Sequence, residues 1–456
     1  MPAEPWMYRS ATRPTLAGAA AAALLSLNGA LLSGGCSLVN EVTACNSSAH
    51  EVRVNQRGDQ SEFINHPKSV AQLIGSNRIV VAFSSQTAGS ATSEVRIALL
   101  DASSGERAVT CNGDFDSTLS DPNVVAYAPS VAAVNLTISG MAAHAAVSWI
   151  ENKSDPRVRV LFVDERGCPL GKPTSPLTET GTPTSGATLA WSPVRKALYV
   201  AFHDFKRILL TQYVDQLPQP PLVVASPYSV DQLTTIAFGA DGRGLIGWPE
   251  HPSGAALLEG EVVIRAALLN PDGTLRAGPD GSAAPFSVPF PANYGNGLTV
   301  DFSAAAGPGR FALTAALATS KAAREVVYAT ELSADDGTVV TPAFRAEPDT
   351  GAAHFYPAAA YTEGGALVVA WMTAQHGGAV ARVFDPGGAP KFNSVSCDES
   401  WFSVGARARE GMQGQTSVLF ASDRVWIFHP GQPGYDSFAM GTVGWNMAWS
   451  DLWPAK

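Results

Sequence analysis

Arg78-Ile79-Val80-Val81-Ala82-Phe83 is followed, after a variable loop, by Val95-Arg96-Ile97-Ala98-Leu99-Leu100 and then by Asp101…Gly105. The two apolar runs read as strands. They are nearly continuous rather than alternating, so each needs cover on both faces. Asp bonds its own backbone nearby and Gly accepts positive φ, so the segment that follows reads as a hairpin turn.

Working outward, the same unit recurs seven times. Its apolar strand returns as Ala145-Ala146-Val147-Ser148-Trp149, Ala197-Leu198-Tyr199-Val200-Ala201-Phe202 and Gly244-Leu245-Ile246-Gly247-Trp248. Later copies are Phe311-Ala312-Leu313-Thr314-Ala315, Ala366-Leu367-Val368-Val369-Ala370-Trp371 and Ser417-Val418-Leu419-Phe420. The turn returns as Asp164-Glu165-Arg166-Gly167, Asn270-Pro271-Asp272-Gly273, Asp335-Asp336-Gly337 and Asp385-Pro386-Gly387-Gly388. Asp215-Gln216-Leu217-Pro218 stands in the third copy without a glycine, and His429-Pro430-Gly431 is a weaker seventh. Residues 61–456 give about 57 residues per copy, room for four strands. Four-stranded units covered on both faces predict an all-β, seven-bladed β-propeller of four-stranded antiparallel blades. A pair of β-sandwiches is the alternative architecture. The degenerate last copy leaves six or eight blades open, and one terminus must supply a strand that closes the ring.

This pattern resembles secreted bacterial β-propeller lipoproteins across most of the chain. The resemblance implies architecture and is nearly silent on activity, since propellers host enzymes, glycan binders and scaffolds alike. The reading divides the chain into a signal peptide at 1–35, a tether at 36–60 and the propeller at 61–456. Arg9 and Arg13 precede an apolar run from Leu16 to Leu32, which ends at Ser33-Gly34-Gly35-Cys36. This resembles a lipoprotein signal, which implies acylation of Cys36. Ser33 departs from that pattern, because the expected aliphatic residue stands one place early. Ser37 favours the outer membrane by the same resemblance, facing the periplasm or exterior; a secreted or periplasmic chain is the alternative. With Cys36 lipidated, Cys45, Cys111, Cys168 and Cys397 remain as disulfide candidates in an oxidising compartment, with three pairings open.

Composition narrows the partners. Acids outnumber bases 40 to 30, for a net charge of −10, so no nucleic-acid partner is expected. Hydrophobic residues make up 46% of the chain, enough for a large core and against wholesale disorder.

Catalytic signatures are missing: there is no G-x-S-x-G elbow, H-E-x-x-H, Walker loop or post-strand G-x-G-x-x-G. No catalytic residue is therefore assigned, and no cofactor is expected. Ser333-Ala334-Asp335-Asp336-Gly337 resembles the Asp box of sialidases, without its closing aromatic. Those turns are structural in that family. Asn112, Asp114 and Asp116 form a weak calcium candidate, lacking the later bidentate acid of an EF-hand. Arg57-Gly58-Asp59 reads as a turn. Trp445, Trp449 and Trp453 recur every four residues and read as terminal packing or, on a helix, as a binding face.

In a propeller, loops from strand two to three and from strand four to the next blade emerge on one face. His203, His251 and His376 fall in the first kind of loop, His66 and His354 in the second. His66, Tyr127, Tyr294 and His354 each precede their first strand by the same interval, with Tyr356 close by. This predicts an aromatic collar at the channel mouth; the alternative is packing where each strand begins. The expected function is a non-enzymatic binding or scaffold module for a protein or glycan, reaching the membrane through its lipid anchor. Its competitor is a carbohydrate-active enzyme, a sialidase-like hydrolase or a lyase, using the propeller funnel.

Overall fold

Six of the seven apolar runs become the second strands of antiparallel sheets; the seventh, Ser417–Phe420, is instead the innermost strand of its sheet, and His429-Pro430-Gly431 lies on the strand Arg424–Gly431 rather than in a turn. Every residue of Ala197–His203 and of Leu367–Thr373 is buried. The structure is a computed structural model. It describes residues 50–54, 60–64, 66–87, 90, 92–152, 155–177, 184–204, 206–226, 233–250, 260–291, 293–295, 301–318, 325–347, 354–373, 378–391, 401–404, 415–431 and 441–448. All its named elements are strands.

These strands pair into seven sheets, taken here in chain order. In the first, Gln60–Phe63 and Val70–Gln72 pair with Arg78–Thr87, followed by Glu94–Asp101 and the short outer strands Arg107–Ala108 and Asp116–Thr118. The second holds Ala126–Ile138, Met141–Glu151 and Arg157–Val163. The third runs Ser185–Ser192, Ala197–His203, Ile208–Val214, then Leu217–Pro218 and Leu222–Ala225. The fourth runs Thr235–Phe238, Gly244–Glu250, Gly260–Leu269, then three short strands ending at Asn293–Gly295. Phe302–Gly307, Arg310–Ala318, Glu325–Ser333 and Val339–Arg345 make the fifth. His354–Tyr361, Leu367–Thr373, Gly378–Phe384 and Trp401–Val404 make the sixth. The last joins Ser417–Ala421, Arg424–Gly431 and Gly441–Ala448 to the N-terminal His50–Arg53.

The innermost strands touch in sequence, and the last touches the first. Each neighbouring pair of sheets encloses its own buried apolar cluster. The aromatics ending the second strands, Phe83, Trp149, Phe202, Trp248 and Trp371, are fully buried in or beside these clusters. The chain is an all-β β-propeller.

Seven equal four-stranded blades are not what forms. Among the described residues six sheets reach four strands or more, and the second has three. In its fourth position only isolated bridges remain, Val160↔Thr174 and Val163↔Pro169. Pro169, Pro173 and Pro176 have no N–H to donate to a ladder, so that edge stays irregular. A short part of the segment read as a tether also belongs to the fold. His50–Arg53 pairs with Gly441–Ala448, from His50↔Asn446 to Arg53↔Val443, and closes the ring.

The turns follow their chemistry. The glycine-free copy still closes a tight hairpin, with Asp215 and Gln216 at φ 49° and 68° between Val214 and Leu217. Gly337 (φ 74°) ends the Ser333–Gly337 turn, where Asp336 Oδ1 accepts the Thr338 N–H at 3.0 Å and hydroxyl at 2.7 Å. That turn joins the third and fourth strands of the fifth sheet and is structural in its bonding. Trp445 lies on a strand, so the four-residue spacing does not mark a helix there. Trp449, Trp453 and Arg57-Gly58-Asp59 fall outside the described residues.

Candidate functional site

Where the inner strands begin, the backbone steps out of register. Shifts fall between Tyr127 and Ser130, Ser185 and Thr188, and Phe355 and Ala358. Ala128, Gly186 and Tyr356 sit there at φ 52°, 65° and 54°. Glycine adopts this conformation freely, whereas Tyr356 does so at a cost of about 1 kcal/mol. Such a residue persists only where its surroundings hold it.

Those surroundings are a ring of hydroxyl bonds between neighbouring inner strands. Ser417 Oγ accepts the Ser69 N–H at 3.2 Å, and Ser69 Oγ donates to the Pro129 carbonyl at 2.9 Å. Ser130 Oγ accepts from the Leu189 N–H at 3.1 Å, and Thr188 Oγ1 donates to the Thr234 carbonyl. Thr235 Oγ1 accepts from the Ala304 N–H at 3.1 Å, and Thr416 Oγ1 donates to the Tyr356 carbonyl. Between the fifth and sixth sheets a carboxyl takes the hydroxyl's place: Asp301 accepts the Tyr356 N–H. Tyr356 is thus gripped on both sides of its strained residue.

A hydroxyl satisfies such a position at no electrostatic cost; a carboxyl does not. Burial, aided by the Glu325 charge and opposed by the Tyr356 N–H, pushes Asp301 up to about 8. Burial lifts Glu325 to about 7. Lys68, where the first inner strand begins, is lowered by burial to about 8. All three side chains lie at the ends of strands that open on the same face. Titratable groups shifted this far by burial mark a functional-site candidate.

The expected collar is only partly there. His66 is buried: its Nδ1 accepts the Lys68 N–H at 3.0 Å, and its Nε2 lies 3.1 Å from Thr188 Oγ1 of the third sheet. Desolvation lowers it to about 3, so it stays neutral. His203 is buried at the end of its strand. His354 is buried too; Nδ1 accepts the Trp371 indole N–H at 3.0 Å, leaving the ring proton on Nε2, 2.6 Å from Glu347 Oε2. Arg345 holds that glutamate from its other oxygen at 2.5 Å. Trp149 and Trp248 reach acids directly instead, at Glu151 (3.2 Å) and Glu250 (3.1 Å), each paired with an arginine across the sheet. His354 therefore does in the sixth sheet what a glutamate does in the second and fourth. Replacing it by Ala should leave the Trp371 N–H and the Glu347 carboxylate without their partner, costing about 2–4 kcal/mol in urea unfolding. An unchanged midpoint would show that His354 is not packing the sheet.

Tyr127 and Tyr356 are half-buried, and Tyr356 packs against the apolar cluster between the sixth and seventh sheets. Tyr294 lies on the strand Asn293–Gly295, its side chain outside the described residues, as are His251, His376, Cys36, Cys45 and Cys397. The calcium candidate is committed elsewhere. Asp116 pairs with Arg96, and Asn112 Nδ2 donates to Ser117 at 3.0 Å. Among the described residues no three His, Cys, Asp or Glu side chains gather as a metal would require.

Sequence reading missed Lys68, Asp301 and Glu325. The recurring Ser/Thr at the head of each inner strand was a signal available in the repeat, and the acid at 301 is where it breaks.

No protein-family profile matches the chain, and no curated protein does. Solved structures do. The polysaccharide lyase Uly1 superposes with a TM-score of 0.51 at 10% identity, covering 88% of this chain and 99% of the lyase. The α-L-arabinofuranosidase arb93a of Fusarium graminearum gives 0.43 at 10% identity, over 89% and 98%. The Myceliophteria thermophila Cps50 (Swd1) β-propeller domain gives 0.45 at 11% identity, over 87% and 99%. At 10% identity the likeness to Uly1 bears on the fold alone and says nothing about activity.

Proposed function

We propose that this chain is a non-enzymatic binding or scaffold module that engages a protein or glycan at the channel mouth, through Lys68, Tyr127, Asp301, Glu325 and Tyr356. The observation that carries the reading is the break in the hydroxyl ring, where a buried acid facing a second acid stands beside a strained, half-exposed tyrosine. Tyr presents a flat apolar body with a polar tip, suited to stack on a sugar or side chain while hydrogen bonding. His251, Tyr294 and His376 belong to the same face by their place in the repeat.

Capture of partners with soluble residues 37–456 tests this. Tyr356→Gly removes the ring while suiting the left-handed backbone, so it should fold normally and weaken capture about tenfold or more. Undiminished capture by the folded variant would move the site elsewhere.

A second reading, a carbohydrate-active enzyme, draws on the two acids alone: carboxyls held near neutrality can pass a proton at physiological pH. Polysaccharide turnover that Glu325→Gln abolishes would favour it over the first.

We also propose an exported chain lipidated at Cys36 and held at the outer membrane. In that setting Cys36→Ser should release the protein into the soluble fraction.

A further inference from the structure

We infer that Cys111 and Cys168 form a disulfide that ties the outer edge of the first sheet to the turn after the third strand of the second. Neither residue is bonded covalently in this structure. Their side chains are nevertheless neighbours across the junction of two sheets, near enough for Cys111 to raise the Cys168 thiol. The backbone holds them there from both directions. The Cys111 N–H donates to the Arg166 carbonyl at 3.1 Å, and Arg78 Nη1 donates to the Glu165 carbonyl at 2.9 Å. Asp164 Oδ1 accepts the Arg166 and Cys168 N–H groups at 2.9 and 2.8 Å, which fixes the second turn. Thr110 fixes the first, with its N–H and hydroxyl on the Asp114 carbonyl at 2.7 and 2.9 Å. Gly167 tightens the approach: a Cβ there would lie 2.9 Å from Ile97 Cδ1 of the first sheet. Two thiols held in register by rigid turns can close without moving a sheet.

The chemistry is thiol–disulfide exchange with a small or protein disulfide, such as oxidised glutathione. Burial, followed by the neighbouring Cys111, raises Cys168 to about 12, which disfavours it as the attacking thiolate and leaves that role to Cys111. Its thiolate attacks the reagent's disulfide, forming a mixed disulfide and releasing one thiolate. Cys168 then gives its proton to solvent and attacks the Cys111 sulfur, releasing the second thiolate. Two electrons and two protons leave this chain, and the reagent becomes two thiols. Of the three pairings that sequence leaves open, only one joins Cys111 to Cys168, and it leaves Cys45 to Cys397.

The test is peptide mapping of the full chain after equilibration with oxidised glutathione and alkylation without reductant. The expected result is a cross-linked peptide carrying both Cys111 and Cys168, about 2 Da lighter than the two thiol peptides summed. Both cysteines recovered alkylated, or either linked to Cys45 or Cys397, would overturn the inference. As a second readout, Cys111→Ser with Cys168→Ser should lower Tm by roughly 5 °C against the oxidised wild type and leave it unchanged against the reduced one. Equal Tm values for oxidised and reduced wild type would contradict a cross-link that constrains the fold.

Discussion

A chain beginning at residue 56 is expected to unfold at much lower denaturant than the full chain. His50–Arg53 supplies the outer strand of the last sheet, pairing along its length with Val443–Asn446. Val54 just beyond it is fully buried, packed with Ile64, Phe83, Trp426 and Phe428 where the last sheet meets the first. Losing four residues of ladder and one buried valine costs about 5 kcal/mol, at about 1 kcal/mol per hydrogen bond and about 2 for the side chain. The exposed edge would also invite pairing between molecules. Guanidinium unfolding followed by tryptophan fluorescence should show the lower midpoint, with dimers or larger species in gel filtration. An unchanged midpoint would mean the ring does not depend on its N-terminal strand.

Replacing Asp301 by Asn should stabilise the protein in alkaline solution. In the unfolded chain this carboxyl titrates near 4; folded, burial raises it to about 8. The folded state thus holds a proton that the unfolded state has lost between those values, and stability falls as pH rises through that window. Below about pH 4 the acid is neutral in both states and the penalty vanishes. Asn keeps an acceptor for the Tyr356 N–H without charge. The variant should match the wild type at acid pH and exceed it above pH 8 by an amount on the order of 5 kcal/mol. Parallel pH–stability curves would show that Asp301 carries no burial penalty.

The fold was legible because its evidence is local. A second strand such as Ala366–Trp371 is covered on both faces, so its whole sequence is apolar, and its turn needs Asp and Gly at fixed places. The outer strands escaped for the opposite reason. His50-Glu51-Val52-Arg53 mixes charge with a single aliphatic residue, and its partner strand lies at the far end of the chain. The prolines after Cys168 were visible, but their effect appears only once a fourth strand is required beside them. The collar expected from His66, Tyr127, Tyr294 and His354 was read from position in the repeat, and position does not say which partners a side chain meets. His66 and His354 stand at the mouth in the repeat, yet Thr188 and Trp371, from elsewhere in the chain, turn them inward. Asp301 breaks the run of hydroxyl residues in the repeat, but its raised pKa, like that of Glu325, depends on what surrounds it in space.

Carboxyl ¹³C titration of the full chain, assigned by comparison with Asp301→Asn and Glu325→Gln, is the most direct test of a tuned acid pair at the channel mouth. The side-chain carbons should titrate with midpoints near 8 for Asp301 and near 7 for Glu325. The Asp301 midpoint should fall when Glu325 is replaced, since the neighbouring charge helps to raise it. Midpoints near 4 for both, indifferent to each other's replacement, would contradict the account.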